Sequence, residues 1–189
     1  MKRTLVLEHS TGTVTVIQEA IDRLQSAESL REYEHEIDLT GEPFLLSSSH
    51  GLKVEKDGRI LSSLLLLAVG GASGVHPHSA FLHGDRCIVA VGNQVCALQL
   101  PELTMIWKTE VDWATCFGVF HSLKHECYIS HGEGEIARLD YNGQIEWTQG
   151  GPDIFTGDLE LLDDRVEVFD FNGTKFVFAI GDGKLLSFK

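Results

Sequence analysis

This sequence has few cations: 15 Lys and Arg face 28 Asp and Glu, for a formal net charge of −13. A nucleic-acid partner needs a Lys/Arg surface to neutralise phosphates, so the charge balance argues against one, and against an anionic membrane surface. Long apolar runs are also lacking. The longest, Leu64-Leu-Leu-Leu-Ala-Val69, falls far short of the roughly 20 residues that span a bilayer. The segment Met1–Glu8 has two positive charges but only a brief apolar stretch, which does not read as an export signal. The four cysteines (Cys87, Cys96, Cys116, Cys127) show no C-x-x-C spacing, so a zinc ribbon or thioredoxin motif is absent. They read as reduced, small core hydrophobes in a cytoplasmic protein.

Catalytic motifs are missing as well. The chain has no Gly-x-Ser-x-Gly elbow, Walker loop, G-x-G-x-x-G turn or H-E-x-x-H helix. Scattered carboxylates alone do not make a glycosidase pair. The expectation is a protein that is not an enzyme and carries no cofactor.

Two textures are present. In the first 40 residues Val16, Ile17, Ala20, Ile21 and Leu24 recur at helical spacing, with Glu19, Asp22 and Arg23 opposite. This predicts an amphipathic helix starting near Thr13–Thr15 and continuing toward Tyr33. After Glu36, short apolar runs alternate with turn signals every eight to twelve residues, the pattern of an antiparallel meander. Expected strands cover 44–48, 52–55, 60–69, 80–83, 87–91, 95–100 and 105–109. Others cover 117–120, 127–130, 135–140, 145–148, 165–169, 175–180 and 185–188. Asn142-Gly143 and Asn172-Gly173 supply the positive φ that tight hairpins need. The expected organisation is a helical element over 1–40 and a β domain over 41–189, with a flexible Gly-Gly-Ala-Ser-Gly joint at 70–74.

The β region repeats. Cys87, Gly92, Ala97 and Trp107 align with Cys127, Gly132, Ala137 and Trp147, each pair 40 residues apart. A common offset marks a repeated supersecondary unit. A third, degenerate copy spans 165–188, where Asp170-Phe-Asn-Gly173 echoes Asp140-Tyr-Asn-Gly143, and a partial copy surrounds Asp57-Gly58. The unit (strand, Gly turn, strand with a central Ala, turn, strand with Trp) resembles the blade repeat of quinoprotein-type (PQQ-like, WD40-like) β-propellers. A pattern like that of residues 80–189 also occurs in small uncharacterised bacterial proteins. The resemblance implies a mainly β, propeller-like fold in which the tryptophans pack between blades, and it transfers no cofactor-binding residue. Residues 41–189 hold fewer than four such units, whereas propellers have about four to eight blades. An incomplete ring, an open sheet, or a ring completed by self-association therefore remain as alternatives.

Propeller surfaces recognise partners through turns at one end of the strands, so His131, Glu133, Asp153 and Phe155 are the expected contacts for a protein partner. A second reading is a metal-binding protein or metal-dependent hydrolase. His76 and His78 flank one residue on an extended segment and project to the same side, with His83 as a third ligand. A third is a structural homo-oligomer. The Asp-x-Asn-Gly turns lack the further oxygen ligands of a calcium loop and read as Asx turns.

Overall fold

The computed structural model describes residues 3–21, 32–40 and 46–189. Every regular element among them is a β-strand, and the strands form four sheets. The first sheet contains β1 (Thr4–His9), β2 (Gly12–Gln18), β3 (His35–Asp38), β4 (Ser48–Lys56) and β5 (Arg59–Ala68), in the order β1-β2-β4-β5-β3. Only β3, on β5, pairs in parallel.

The other three are four-stranded antiparallel meanders in sequence order, each a propeller-type blade. Blade two is β6 (Ala80–His83), β7 (Arg86–Val91), β8 (Gln94–Gln99) and β9 (Thr104–Glu110). Blade three is β10 (Cys116–Ser122), β11 (Cys127–Gly132), β12 (Glu135–Leu139) and β13 (Ile145–Gly150). Blade four is β14 (Phe155–Leu161), β15 (Arg165–Asp170), β16 (Lys175–Ala179) and β17 (Leu185–Phe188).

The expected helix is not formed over residues 12–18, which are strand. Thr13-Val14-Thr15-Val16 is β-branched throughout, and its alternation buries Val14 and Val16 completely against the rest of the first core. Its continuation through residues 22–31, like the start of the strand expected at 44–48, lies outside the described residues. The division expected after residue 40 falls inside a sheet, because β1, β2 and β3 share one with β4 and β5. The joint expected at 70–74 is a packed contact: the Gly71 N–H donates to the Ala114 carbonyl, and buried Ser73 donates its N–H to Ser48 Oγ. Three further strands, β1, β3 and β14, are absent from the sequence-based set.

Three apolar cores lie between successive sheets, and strict alternation assigns residues to them. In β7, Cys87, Val89 and Val91 face the first sheet, while Ile88 and Ala90 face blade three. In β11, Tyr128 faces blade two, while Cys127 and Ile129 face blade four. The 40-residue alignment is therefore one residue out of phase in this hairpin. Cys87 and Cys127 point to opposite faces of their blades, as do Cys96 and Ile136, because the two-residue turn between β11 and β12 at Glu133-Gly134 falls 41 residues, not 40, after the turn between β7 and β8 at Gly92-Asn93.

The tryptophans remain equivalent. The Trp107 indole N–H donates to the Tyr141 carbonyl at 3.2 Å and that of Trp147 to the Ile180 carbonyl at 2.9 Å, each in the following blade. Each indole lies against a glycine with positive φ in the turn between the last two strands of that blade, Gly143 (φ 79°) for Trp107 and Gly183 (φ 70°) for Trp147. Gly181-Asp182-Gly183 is thus the structural counterpart of Asn142-Gly143. The Asp170–Gly173 turn sits one hairpin earlier in its blade, so its likeness to Asp140–Gly143 is local: in both, the Asp Oδ1 accepts two backbone N–H groups.

The seats predict an ordered mutational series. A Cβ on Gly143 or Gly183 would approach the indole within 2.5 and 2.7 Å, whereas one on Gly173 (φ 80°) meets nothing within 4 Å. G173A should cost only the left-handed backbone term, about 1–2 kcal/mol. G143A and G183A should each lose a further 1–3 kcal/mol, roughly, from overpacking. Urea denaturation checks the ranking, and equal losses at all three positions would refute the seat.

Candidate functional site

The first strands of blades three and four, β10 and β14, pair with another strand along one edge only. Between them and the 76–79 turn opens a cleft of about 680 Å³, lined by His78, Phe117, Phe120, His131, Asp158 and Glu160 among others. β14 meets the cleft along its edge from Thr156 to Glu160: Leu159 belongs to the core between blades three and four, while Asp158 and Glu160 are exposed.

His76 fastens the opposite wall. Its Nδ1 accepts the His78 N–H at 3.3 Å, its Nε2–H donates to the Phe117 carbonyl at 2.6 Å, and its own N–H donates to Ser79 Oγ at 3.0 Å. Both ring nitrogens are thereby used, which fixes the tautomer. The His78 carbonyl accepts the Val119 N–H at 2.9 Å, and its ring stacks on Phe120 with centroids 4.5 Å apart. Burial and the nearby His76 push the His78 pKa down, with Asp158 pulling the other way.

His131, on β11, lies deepest. It is 7% exposed, meets Phe117 edge-on at 5.4 Å, and has no hydrogen-bond partner at Nε2. Burial lowers its pKa to about 4, against an opposing pull from Asp158. It is therefore neutral near pH 7.

The other expected contacts are placed differently from one another. Glu133 sits at the seam between blades: its carboxylate accepts the Thr115 hydroxyl at 2.9 Å, its N–H donates to the Thr115 carbonyl and its carbonyl accepts the Phe155 N–H. Asp153 is exposed and accepts a hydrogen bond from the Asn172 amide at 2.9 Å. Phe155 is fully buried beside Phe176 and Phe178, so it is a core residue and not a surface contact. The exposed aromatics at this end are Trp113 (67%), after β9, and Phe171 (69%), after β15. In an antiparallel meander the turns after the second and fourth strands lie at the same end, which places both there with Asp153 and Glu133.

The metal set does not assemble. His83 lies in a separate ring cluster between blades two and three, with Nδ1 2.6 Å from the Tyr128 hydroxyl and its ring 4.4 Å from that of His121. Among the described residues no group of three or more His, Cys, Asp or Glu is placed to hold a metal ion. The four thiols are free and buried, and burial pushes the pKa of each upward.

Two buried neutral histidines predict acid sensitivity. His50, in the first core, also has its pKa lowered to about 4, chiefly by burial. Below the unfolded value near 6.5 the unfolded chain binds more protons at both sites, so stability falls as pH drops from about 6.5 toward 4. Each histidine contributes a slope of at most about 1.4 kcal/mol per pH unit in that window. H131Q should flatten the measured dependence by up to one proton, and an unchanged slope would contradict the assignment.

No family model matches the chain, and no curated protein matches it in sequence. Solved structures do. The crystal structure of BamB from Moraxella catarrhalis aligns with TM-score 0.56 and 13% identity, covering 100% of this chain and 66% of that one. The WD40 β-propeller domain of Doa1 aligns with TM-score 0.54 and 10% identity, covering 97% of this chain and 52% of that one. The chain thus spans about two-thirds and one-half of those lengths, and at these identities the likeness is one of fold alone: over its whole length the chain resembles BamB (PQQ-like) and WD40 β-propellers, with four-stranded antiparallel blades.

Proposed function

We propose that this protein is a non-catalytic protein-binding module, and that the cleft between β10 and β14, with the adjoining turns, is its recognition face. The observation that carries this reading is the cleft itself. Its volume of about 680 Å³ is in the range of ligand sites, and its wall combines aromatic rings, two exposed carboxylates and a buried ring nitrogen without a partner. Trp113 and Phe171 extend this face with large amphipathic or apolar surface, the residue types that anchor protein interfaces. Absence of catalysis is part of the proposal. It is supported by the protonated, buried thiols and by His76, whose two nitrogens are already committed.

Thr156 is exposed on the cleft wall, so T156W fills the cleft without disturbing the core. Affinity purification with mass spectrometry should recover a partner with the wild type and lose it with T156W, at equal melting temperature. An identical set of partners from both proteins would count against the cleft.

A second reading, self-association, is favoured by a different surface. Blade four exposes Phe169, Leu185, Leu186 and Phe188, and among the described residues no hydrogen bond joins it to the first sheet. Sedimentation at tens of micromolar should then show a dimer that L186D dissociates. A wild-type monomer at that concentration excludes it.

A further inference from the structure

Successive sheets are joined by one repeated device, and the two ends of the stack carry its unused halves. The last hairpin of blades two and three has the same register, broken by one bulge. Met105 stands opposite Leu98 and Trp107 opposite Ala97, as Ile145 stands opposite Leu139 and Trp147 opposite Arg138. The first sheet repeats this with Ile60 opposite Glu55 and Ser62 opposite Val54. Blade four repeats it with Leu185 opposite Phe178 and Ser187 opposite Val177. Two residues before Ile60, Met105, Ile145 and Leu185 stands a positive φ: Gly58 (74°), Leu103 (56°), Gly143 (79°) and Gly183 (70°). Ser62, Trp107, Trp147 and Ser187 are therefore equivalent, and so are the four turns.

Three joints use these positions. Ser62 Oγ donates to the Pro101 carbonyl, the Trp107 indole to that of Tyr141 and the Trp147 indole to that of Ile180, always from one sheet to the turn of the next. Ser187 and the turn at Gly58 are left over. A Cβ on Gly58 would meet nothing within 4 Å, whereas one on Gly143 or Gly183 would strike an indole. Ile60 and Leu61, beside that open turn, are exposed.

An arginine gives an independent sign. The Asp85 carbonyl accepts the Leu100 N–H, and the Asp164 carbonyl accepts the Ile180 N–H, so Asp85-Arg86 and Asp164-Arg165 open their strands equivalently. Arg86 donates through Nη1 to the Tyr141 carbonyl, in the turn of the next blade. Arg165 lies on the side of β15 opposite Val166 and Val168, away from blade three. Its Nε donates to Glu167, and among the described residues its terminal nitrogens have no partner. Arg138 shows the completed form of this arrangement. It pairs with Glu146 on its own blade and donates through Nη1 to the Ile180 carbonyl of the next.

We propose that a second copy of this chain supplies the missing half at each end. Blade four of one copy packs on the first sheet of the other, with Ser187 and Arg165 donating to the turn at Lys56–Gly58. Phe169, on the same side of β15 as Arg165, covers apolar surface there. A twofold axis makes this contact twice, because each copy offers both the donors and the open turn. Two copies of four sheets close a ring of eight, within the range of about four to eight blades found in propellers. This rests on the self-association reading and names the surface that blade four meets.

The test places single added cysteines at two exposed positions, D57C and S187C; the four native thiols are buried. Each variant is treated with a short bis-maleimide, alone and after mixing with the other, at tens of micromolar. Cross-linked dimer should form in the mixture and in neither variant alone, because residue 57 of one copy meets residue 187 of the other. R165A should weaken the dimer seen by sedimentation at least about tenfold. A wild-type monomer removes self-association and this joint with it. A wild-type dimer in which S187C cross-links to itself, the mixture gives no cross-link, or R165A changes nothing would overturn the joint and leave self-association standing. Species larger than a dimer would overturn the closed ring.

Discussion

Both faces of the second and third blades are apolar, and this constraint shapes the protein. A sheet with one greasy face can rest on water with the other; these sheets cannot. Ile88 and Cys87, neighbours in one strand, are both completely buried because each faces a different adjoining sheet. The stable arrangement is a stack in which every inner blade is covered twice. Lateral hydrogen bonds then tie the stack together: the Asn93 N–H reaches the Val69 carbonyl, the Cys116 N–H the Gly92 carbonyl, and the Phe155 N–H the Glu133 carbonyl.

The ends of such a stack need another solution. On the outward side of blade four, Glu167 lies between Arg165 and Lys175, so charge replaces apolar packing there. Phe169 and Phe188 remain exposed around that network. Between blades, the outermost strands are held differently. Indoles from β9 and β13 drop onto glycines of the next blade, a joint that depends on the missing Cβ as much as on the ring. Arg86 and Arg138 reinforce the same joints by donating to the Tyr141 and Ile180 carbonyls.

The cleft follows from this geometry. First strands of blades pair with a strand along one edge only, so they tolerate polar residues that a central strand would not. In β14 that tolerance is used for Thr156, Asp158 and Glu160. β10 instead contributes Phe117 and Phe120, which the 76–79 turn and His131 hold in place through a carbonyl, a stacked ring and an edge contact. The walls of the cleft therefore come largely from strands, with His76 and His78 supplied by a turn.

Periodicity in the sequence determined the meander, because alternating apolar runs and Asn-Gly or Gly turns act over a few residues. The strands from β4 to β13 and β15 to β17 were legible in this way, and the tryptophan spacing disclosed the repeat and its propeller character. Four things were decided only by tertiary structure. A β-branched segment that also satisfied helical spacing became β2, since the edge of β4 offered it a partner. The phase of the repeat within the β7–β8 and β11–β12 hairpins depended on where each turn falls, since one residue of slip moves every side chain to the opposite face. β14 went unread because Gly157 interrupts the apolar series of Phe155, Leu159 and Leu161. The histidines were sorted by blade: His76 and His78 to the cleft, His83 to the cluster with Tyr128, and His131 from an expected surface turn to a buried wall. Local sequence sets which residues form strands; which strand edges meet, and so which polar groups share a space, depends on contacts between residues far apart in the chain.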